Sequence, residues 1–206
     1  MKQVALLAAL TIFSGAAVST ARAAIVVFDF ESLTNGSYAS VSQTVDGLTA
    51  DVHPSGGTLD VTTVPFTGFG SHSLLNFPHG GAPTIANFSS LVGNVSITGM
   101  DFTPSDLDHL YLAAYSGLDG TGTFLGSVSG VGCCDFGSTP ETISLSVSGV
   151  RSVTFFTDIH DPFPGSVYFD NLTVSTGVPE PYAWMLMIGG FGLAGAALRR
   201  RIPVAA

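Results

Sequence analysis

Five histidines, His53, His72, His79, His109 and His160, are the side chains of this 206-residue chain suited to general-base work or metal ligation near neutral pH. Asp106 and Asp108 are neighbouring carboxylates, and a glycoside hydrolase needs two carboxylates that face each other across the scissile bond. The adjacent Cys133-Cys134 pair is a weak candidate for a soft metal, since no other cysteine exists to complete a site, and a bridge between neighbours closes a strained small ring. Spacing organises none of these into a catalytic centre. The chain has no H-E-x-x-H, no G-x-S-x-G, no phosphate-binding glycine loop and no EF-hand loop. His160-Asp161 stands before Pro162 and reads as loop chemistry, so no catalytic residue is expected.

Binding chemistry has better candidates. Tyr38, Phe66, Phe69, Tyr111 and Tyr115 could stack on sugar rings, although the 15 phenylalanines outnumber the 5 tyrosines and the single Trp184 lies in the tail, so most phenylalanines belong to a core. Asp170 is the anomaly. It shares strand parity with Tyr168, Leu172 and Val174, which puts a carboxylate on an apolar face where an unpaired charge is costly. Something must compensate it, unless Asp170 lies at a bulge and caps a turn with Asn171.

The elements that would position these residues are strands. Apolar, β-branched runs at 24–30, 72–77, 95–102, 110–117, 122–130, 142–149, 152–159 and 166–175 are separated by Gly, Pro, Asn, Ser and Asp. Ile143, Leu145 and Val147 alternate with Ser144, Ser146 and Ser148, the pattern of a half-buried strand. The expected class is therefore all-β, an antiparallel sandwich. A middle of this length buries close to 70% of its unfolded surface and folds without disulfides. Residues 24–177 carry 14 carboxylates against Arg151 alone. Without a basic cluster there is nothing to displace counterions from phosphate, so nucleic acid is excluded as a partner.

Both ends address a membrane. Met1-Lys2, the apolar stretch from Val4 to Val18 and Ala21-Arg22-Ala23 form a secretory signal peptide over 1–23, with cleavage before Ala24. Tyr182 to Leu198 is a second apolar run, between Pro179-Glu180-Pro181 and Arg199-Arg200-Arg201. Seventeen residues at about 1.5 Å each give roughly 25 Å of helix, just under the ~30 Å hydrocarbon core. Arginines at the far end hold it in the cytoplasm and leave the middle outside.

Pro179-Glu180-Pro181, Trp184, Met187, Gly190-Phe191-Gly192, Gly195 and Arg199-Arg200-Arg201 resemble the PEP-CTERM sorting signal, in its PEPxxW form, over 178–203. The resemblance implies a Gram-negative host, export through its inner membrane by the secretion machinery, and a membrane-anchored precursor. It also implies tail removal by an exosortase in bacteria that make exopolysaccharide. Two prolines fix φ and keep the segment extended outside the bilayer, as such an enzyme requires. The strand order, from FDFES (28–32) through 110–130 and SVTFF (152–156) to VYFDNLTV (167–174), resembles a jelly roll whose first and last strands pair. Similar jelly rolls hold a structural Ca²⁺ with a carboxylate near the end of the first strand and one on the last, and Glu31 and Asp170 match those places. The role implied is structural or adhesive, associated with exopolysaccharide or biofilm matrix. A secreted polysaccharide-active enzyme or a carbohydrate-binding module is the alternative.

Overall fold

The computed structural model describes residues 23–64, 70–75, 82–101, 107–133, 140–161, 165–176 and 189–195. The chain divides into a body, Ala23–Gly177, and a unit made of its two terminal segments. In the body every strand pairing is antiparallel. The strands are β1 (Ile25–Phe28), β2 (Gly36–Tyr38), β3 (Val41–Val45), β4 (Leu48–Pro54), β5 (Leu59–Thr63), β6 (His72–Leu75), β7 (Thr84–Asp101), β8 (Leu107–Tyr115), β9 (Phe124–Cys133), β10 (Glu141–Thr157) and β11 (Val167–Thr176). The expected all-β architecture is present.

Two strands organise the rest. The first half of β7 pairs with β4 and the second half of β10, whereas its second half pairs with β11 and the first half of β10. The expected runs 142–149 and 152–159 are thus one strand, a correction to reading Gly149 as turn punctuation. Gly149 has φ +76°, and the β7–β10 register shifts three times between Leu145 and Ser152. A left-handed glycine in a ladder makes a bulge, and a bulge bends a strand without ending it. Here it lets one strand serve two layers.

The layers pack face to face. A Cβ on Gly99 of β7 would lie 2.8 Å from Leu110 Cδ1 of β8, and one on Gly130 of β9 would lie 2.5 Å from Ile143 of β10. Between them Phe28, Phe88, Leu110, Leu112, Phe155, Phe169 and Leu172 are buried, with Phe155 edge-on to Phe169 at 5.0 Å. Strand β1 lies against β11, from Ile25↔Ser175 to Phe28↔Leu172, so the first and last strands pair.

The residues expected to form a leader, apart from Ala23, lie outside the described set. Of the expected membrane segment, residues 189–195 are helical, with Gly190, Phe191 and Gly192 exposed. Among the described residues no helix is long and apolar enough to cross a membrane.

Candidate binding face and carboxylate junction

Alternation along β8 and β10 separates two sets of side chains. Leu110, Leu112, Ala114, Val153 and Phe155 point into the core, so His109, Tyr111, Tyr115 and Phe156 stand on the outer face. Register places Tyr111 opposite Phe156, and their rings stack at 5.1 Å between centroids and 13° between planes. Further along, Tyr115 meets Phe124 of β9 edge-on at 5.8 Å, and Phe124 is 57% exposed. The Tyr111–Phe156 stack is a half-buried aromatic pair on the outer face.

A carboxylate-histidine rim borders the stack. The turn after β10 is clasped to β8: His109 N donates to Asp161 Oδ2 at 2.8 Å, and His109 Nδ1 lies 2.9 Å from Asp161 Oδ1. That contact with Asp161 raises the His109 pKa. Tyr111 OH donates to Asp158 Oδ2 at 3.3 Å, and Asp158 Oδ1 accepts from His160 N at 2.9 Å and lies 2.7 Å from His160 Nδ1. Bonds from the His160 backbone and ring hold Asp158 below the usual carboxylate range. Partial burial, then the Asp158 charge, pushes the Tyr111 phenol up. The rim offers hydrogen-bond acceptors beside an apolar platform, the two halves of saccharide recognition.

The loop between β8 and β9 folds over the other end of this face. Gly120 N donates to Ser152 Oγ at 3.0 Å, and Ser152 Oγ donates to Gly117 O at 2.6 Å. Asp119 lies 3.1 Å from His53 Nε2 and accepts from Asn87 Nδ2 at 2.6 Å, and these contacts lower its pKa, Asn87 contributing most. Ser152 is fully buried, so Ser152→Ala strands two backbone groups and lowers stability by about 1–3 kcal/mol, as measured by urea denaturation.

The second constellation lies where β11 changes partners. On one side β11 follows β7 throughout; on the other it pairs with β6 at Tyr168 and Phe169, then with β1 from Leu172 onward. Asp170 and Asn171 occupy the changeover. The β7–β11 register shifts there, and Asn171 takes φ +51°. This bulge breaks the parity expected from the sequence. Val167 and Phe169 share the main core with Leu172 and Val174, while Tyr168 packs separately with Val64 and Met100. Asp170 caps the bulge, accepting from Asn171 N at 2.7 Å and from Asn171 Nδ2 at 3.3 Å. Its side chain is fully buried. Burial pushes its carboxyl up to about 7, against the lowering bond from Asn171, and the charges of Glu31 and Asp29 add to the rise.

Glu31 is occupied elsewhere. It accepts from Ser71 N at 2.6 Å, from the Ser71 hydroxyl and from His72 N at 3.1 Å. These bonds lower its pKa, although desolvation, the largest single influence, works upward. The contact is so close that a Cβ on Gly70 would fall 1.6 Å from Glu31 Oε1. Ser71, His72 and Glu31 do not form a nucleophile-base-acid relay, because the carboxylate binds the hydroxyl directly. Asp29 accepts from Gln43 Nε2 at 3.0 Å.

Carboxylate oxygens such as those of Glu31 and Asp170 suit calcium by donor chemistry, but Glu31 is taken by Ser71 and His72 and Asp170 by Asn171. Among the described residues no three His, Cys, Asp or Glu side chains are gathered as a metal group, so backbone carbonyls would have to complete the shell.

Of the other candidates, Tyr38 spends its hydroxyl on Thr34 O at 2.8 Å. Cys133 ends β9. Phe66, Phe69, His79, Asp106 and Cys134 lie outside the described residues, as do Ala21, Pro179, Glu180, Pro181, Trp184 and Arg199 to Arg201. Phe156 was missed because composition assigned phenylalanine to the core; the parity of SVTFFTDI, with Phe155 and Phe156 adjacent, could have found it.

Among solved structures, the K1 cleaved adhesin domain of Lys-gingipain from Porphyromonas gingivalis W83 is similar over 75% of this chain and 99% of its own, at 12% identity and a TM-score of 0.46. The K2 cleaved adhesin domain of Lys-gingipain is similar over 73% and 99%, at 16% identity and 0.45. A family 29 carbohydrate-binding module from Piromyces equi is similar over 72% and 83%, at 15% identity and 0.28. No curated protein matches the chain. Residues 177–201 match the family model described as the PEP-CTERM protein-sorting motif, and the chain therefore carries that sorting motif directly after its β body.

Proposed function

We propose that this protein is a structural or adhesive component of a Gram-negative cell envelope or extracellular matrix. Its jelly-roll-like body associates with exopolysaccharide through the Tyr111–Phe156 face. The sorting motif marks an exported exosortase substrate, anchored in the membrane before processing. The observation that carries the binding role is the stacked, half-buried aromatic pair bordered by Asp158, Asp161 and their histidines. A ring laid on that stack buries its C–H face, and its hydroxyls reach the rim. Calcium at Asp170 serves as a structural ion in this reading, joining the β1 end of the sheet to β11.

Retention of the exported protein on the producer's own exopolysaccharide tests the reading. Tyr111→Ala and Phe156→Ala should each weaken retention by about tenfold, equivalent to ~1.4 kcal/mol. Their melting temperatures should show that the body remains folded. Equal retention of wild type and both variants removes this face as the contact. Release of shortened saccharide would favour a polysaccharide-active enzyme instead.

A further inference from the structure

Among the described residues four strands have a partner on one side only: β1, β2, β3 and β9. The first three run for 4, 3 and 5 residues, and Gln43 of β3 is spent on Phe30 N and Asp29. Strand β9 runs for 10, and its register with β8 is unbroken from Gly126 to Cys133. Alternate residues of an antiparallel strand turn their N–H and C=O groups away from the partner, so β9 offers a row of donors and acceptors on the side opposite β8. The residues that ordinarily protect such an edge are missing. Residues 120–134 contain no Lys, Arg, Asp, Glu or Pro. On its inner side the strand is anchored: a Cβ on Gly126 would lie 3.4 Å from Leu145 of β10, and one on Gly130 would meet Ile143. On its outer face Ser127, Ser129 and Val131 are exposed.

We propose that a second copy of this chain pairs here, β9 of one copy running antiparallel to β9 of the other about a two-fold axis perpendicular to the sheet. Charge selects this occupant. Residues 24–177 carry 14 carboxylates against Arg151 alone, so two bodies repel wherever their carboxylates meet. Along β9 an equally acidic body approaches without burying or opposing a charge. Opposite residues of an antiparallel pair point to the same side, so the axis keeps outer face with outer face. The two sheets become one, and each copy sets its Tyr111–Phe156 pair on the same side of it. The pairing does not depend on reading that pair as a saccharide contact. Where both hold, one polymer meets two contacts at once, and retention gains through effective concentration.

The test measures the oligomeric state of the exported protein by sedimentation equilibrium. A thiol reductant is present, so that Cys133 and Cys134 supply no covalent link. A dimer should be populated below about 1 mM; a protein monomeric throughout that range overturns the proposal. Where the dimer dominates, hydrogen exchange should slow about tenfold for roughly half of the amides in 124–133. A dimer whose β9 amides exchange as fast as the monomer's is joined elsewhere, which also overturns it. Ser127→Glu with Ser129→Glu, and Ser127→Lys with Ser129→Lys, each set like charges against their own copy across the axis. Both positions are exposed, and melting temperatures check that the fold is kept. Each double variant alone should associate at least tenfold more weakly than wild type, and an equal mixture of the two should recover association. Wild-type association of both variants, or a mixture no tighter than its components, removes β9 as the contact.

Discussion

Asp170→Asn should raise the melting temperature of the chelator-treated protein at pH 8 by roughly 10 °C, since a body of this size gains about 2–4 °C per kcal/mol. The physical basis is a carboxyl that is fully buried, with a pKa pushed up to about 7 by that burial. In the unfolded chain the same group titrates near 3.9. A raised folded value means that the native state holds a proton which the unfolded state releases. The resulting stability is complete below about pH 4 and is lost as pH climbs through about 7. Three pH units of separation correspond to an order of 3–4 kcal/mol at pH 8. Asparagine keeps the acceptor for Asn171 N and carries no charge, so it escapes the penalty. At pH 4 the two proteins should melt together.

Calcium supplies the second arm. If the ion answers the buried charge, millimolar calcium at pH 8 raises the wild-type melting temperature and leaves Asp170→Asn unmoved. Asp170→Ala separates the roles, because it also removes the bulge cap. A wild type indifferent to calcium, alongside a stabilised asparagine variant, assigns Asp170 to bulge capping alone. A wild type indifferent to both changes would show that the carboxyl is not held in a desolvated place.

Replacing Pro179, Glu180 and Pro181 together by alanine should abolish tail removal while leaving the body folded. Peptide mapping of the exported protein should then recover Arg199-Arg200-Arg201 in the product. The match to the sorting motif spans these residues. The prolines lock φ and disfavour helix in the residue before each of them, whereas alanine favours helix at all three positions. Misplacing a scissile segment by about 1 Å is enough to cost some 10²-fold in rate. Efficient tail removal from the triple variant would show that the processing enzyme reads something other than this triplet.

The apolar runs bounded by Gly, Asn and Asp made β1, β8, β9 and β11 legible in the sequence, most cleanly β1 and the start of β8, where buried and exposed positions alternate. The long strands were less legible. Gly93 and Gly149 look like turn residues, and only tertiary pairing reveals them as places where a strand bends between layers. Strands β2 and β3 went unread, since short runs such as GSY and VSQTV carry too few apolar positions to show a period; β4 and β5 were also missed, although Leu48, Ala50 and Val52 of β4 alternate with Thr49, Asp51 and His53. Asp170 was visible as an anomaly from parity alone. The sequence left two causes open, a compensating ion and a bulge capped with Asn171, and the positive φ of Asn171 with the β7–β11 register shift shows the bulge. Tyr111 could be named as an aromatic candidate, but its pairing with Phe156 depends on the β8–β10 register, which no local pattern specifies.

The path from Thr176 to the aromatic pair has a mechanical consequence. Thr176 sits opposite Val92, Val92 opposite Val150, and the same strand β10 then lies beside β8 from Tyr115 to Tyr111. Traction applied at Thr176 reaches the Tyr111–Phe156 pair by way of these ladders. If the proposed matrix contact is made at that pair, a pull on it loads hydrogen-bonded strands from the outset, and the body should not lengthen first by paying out slack.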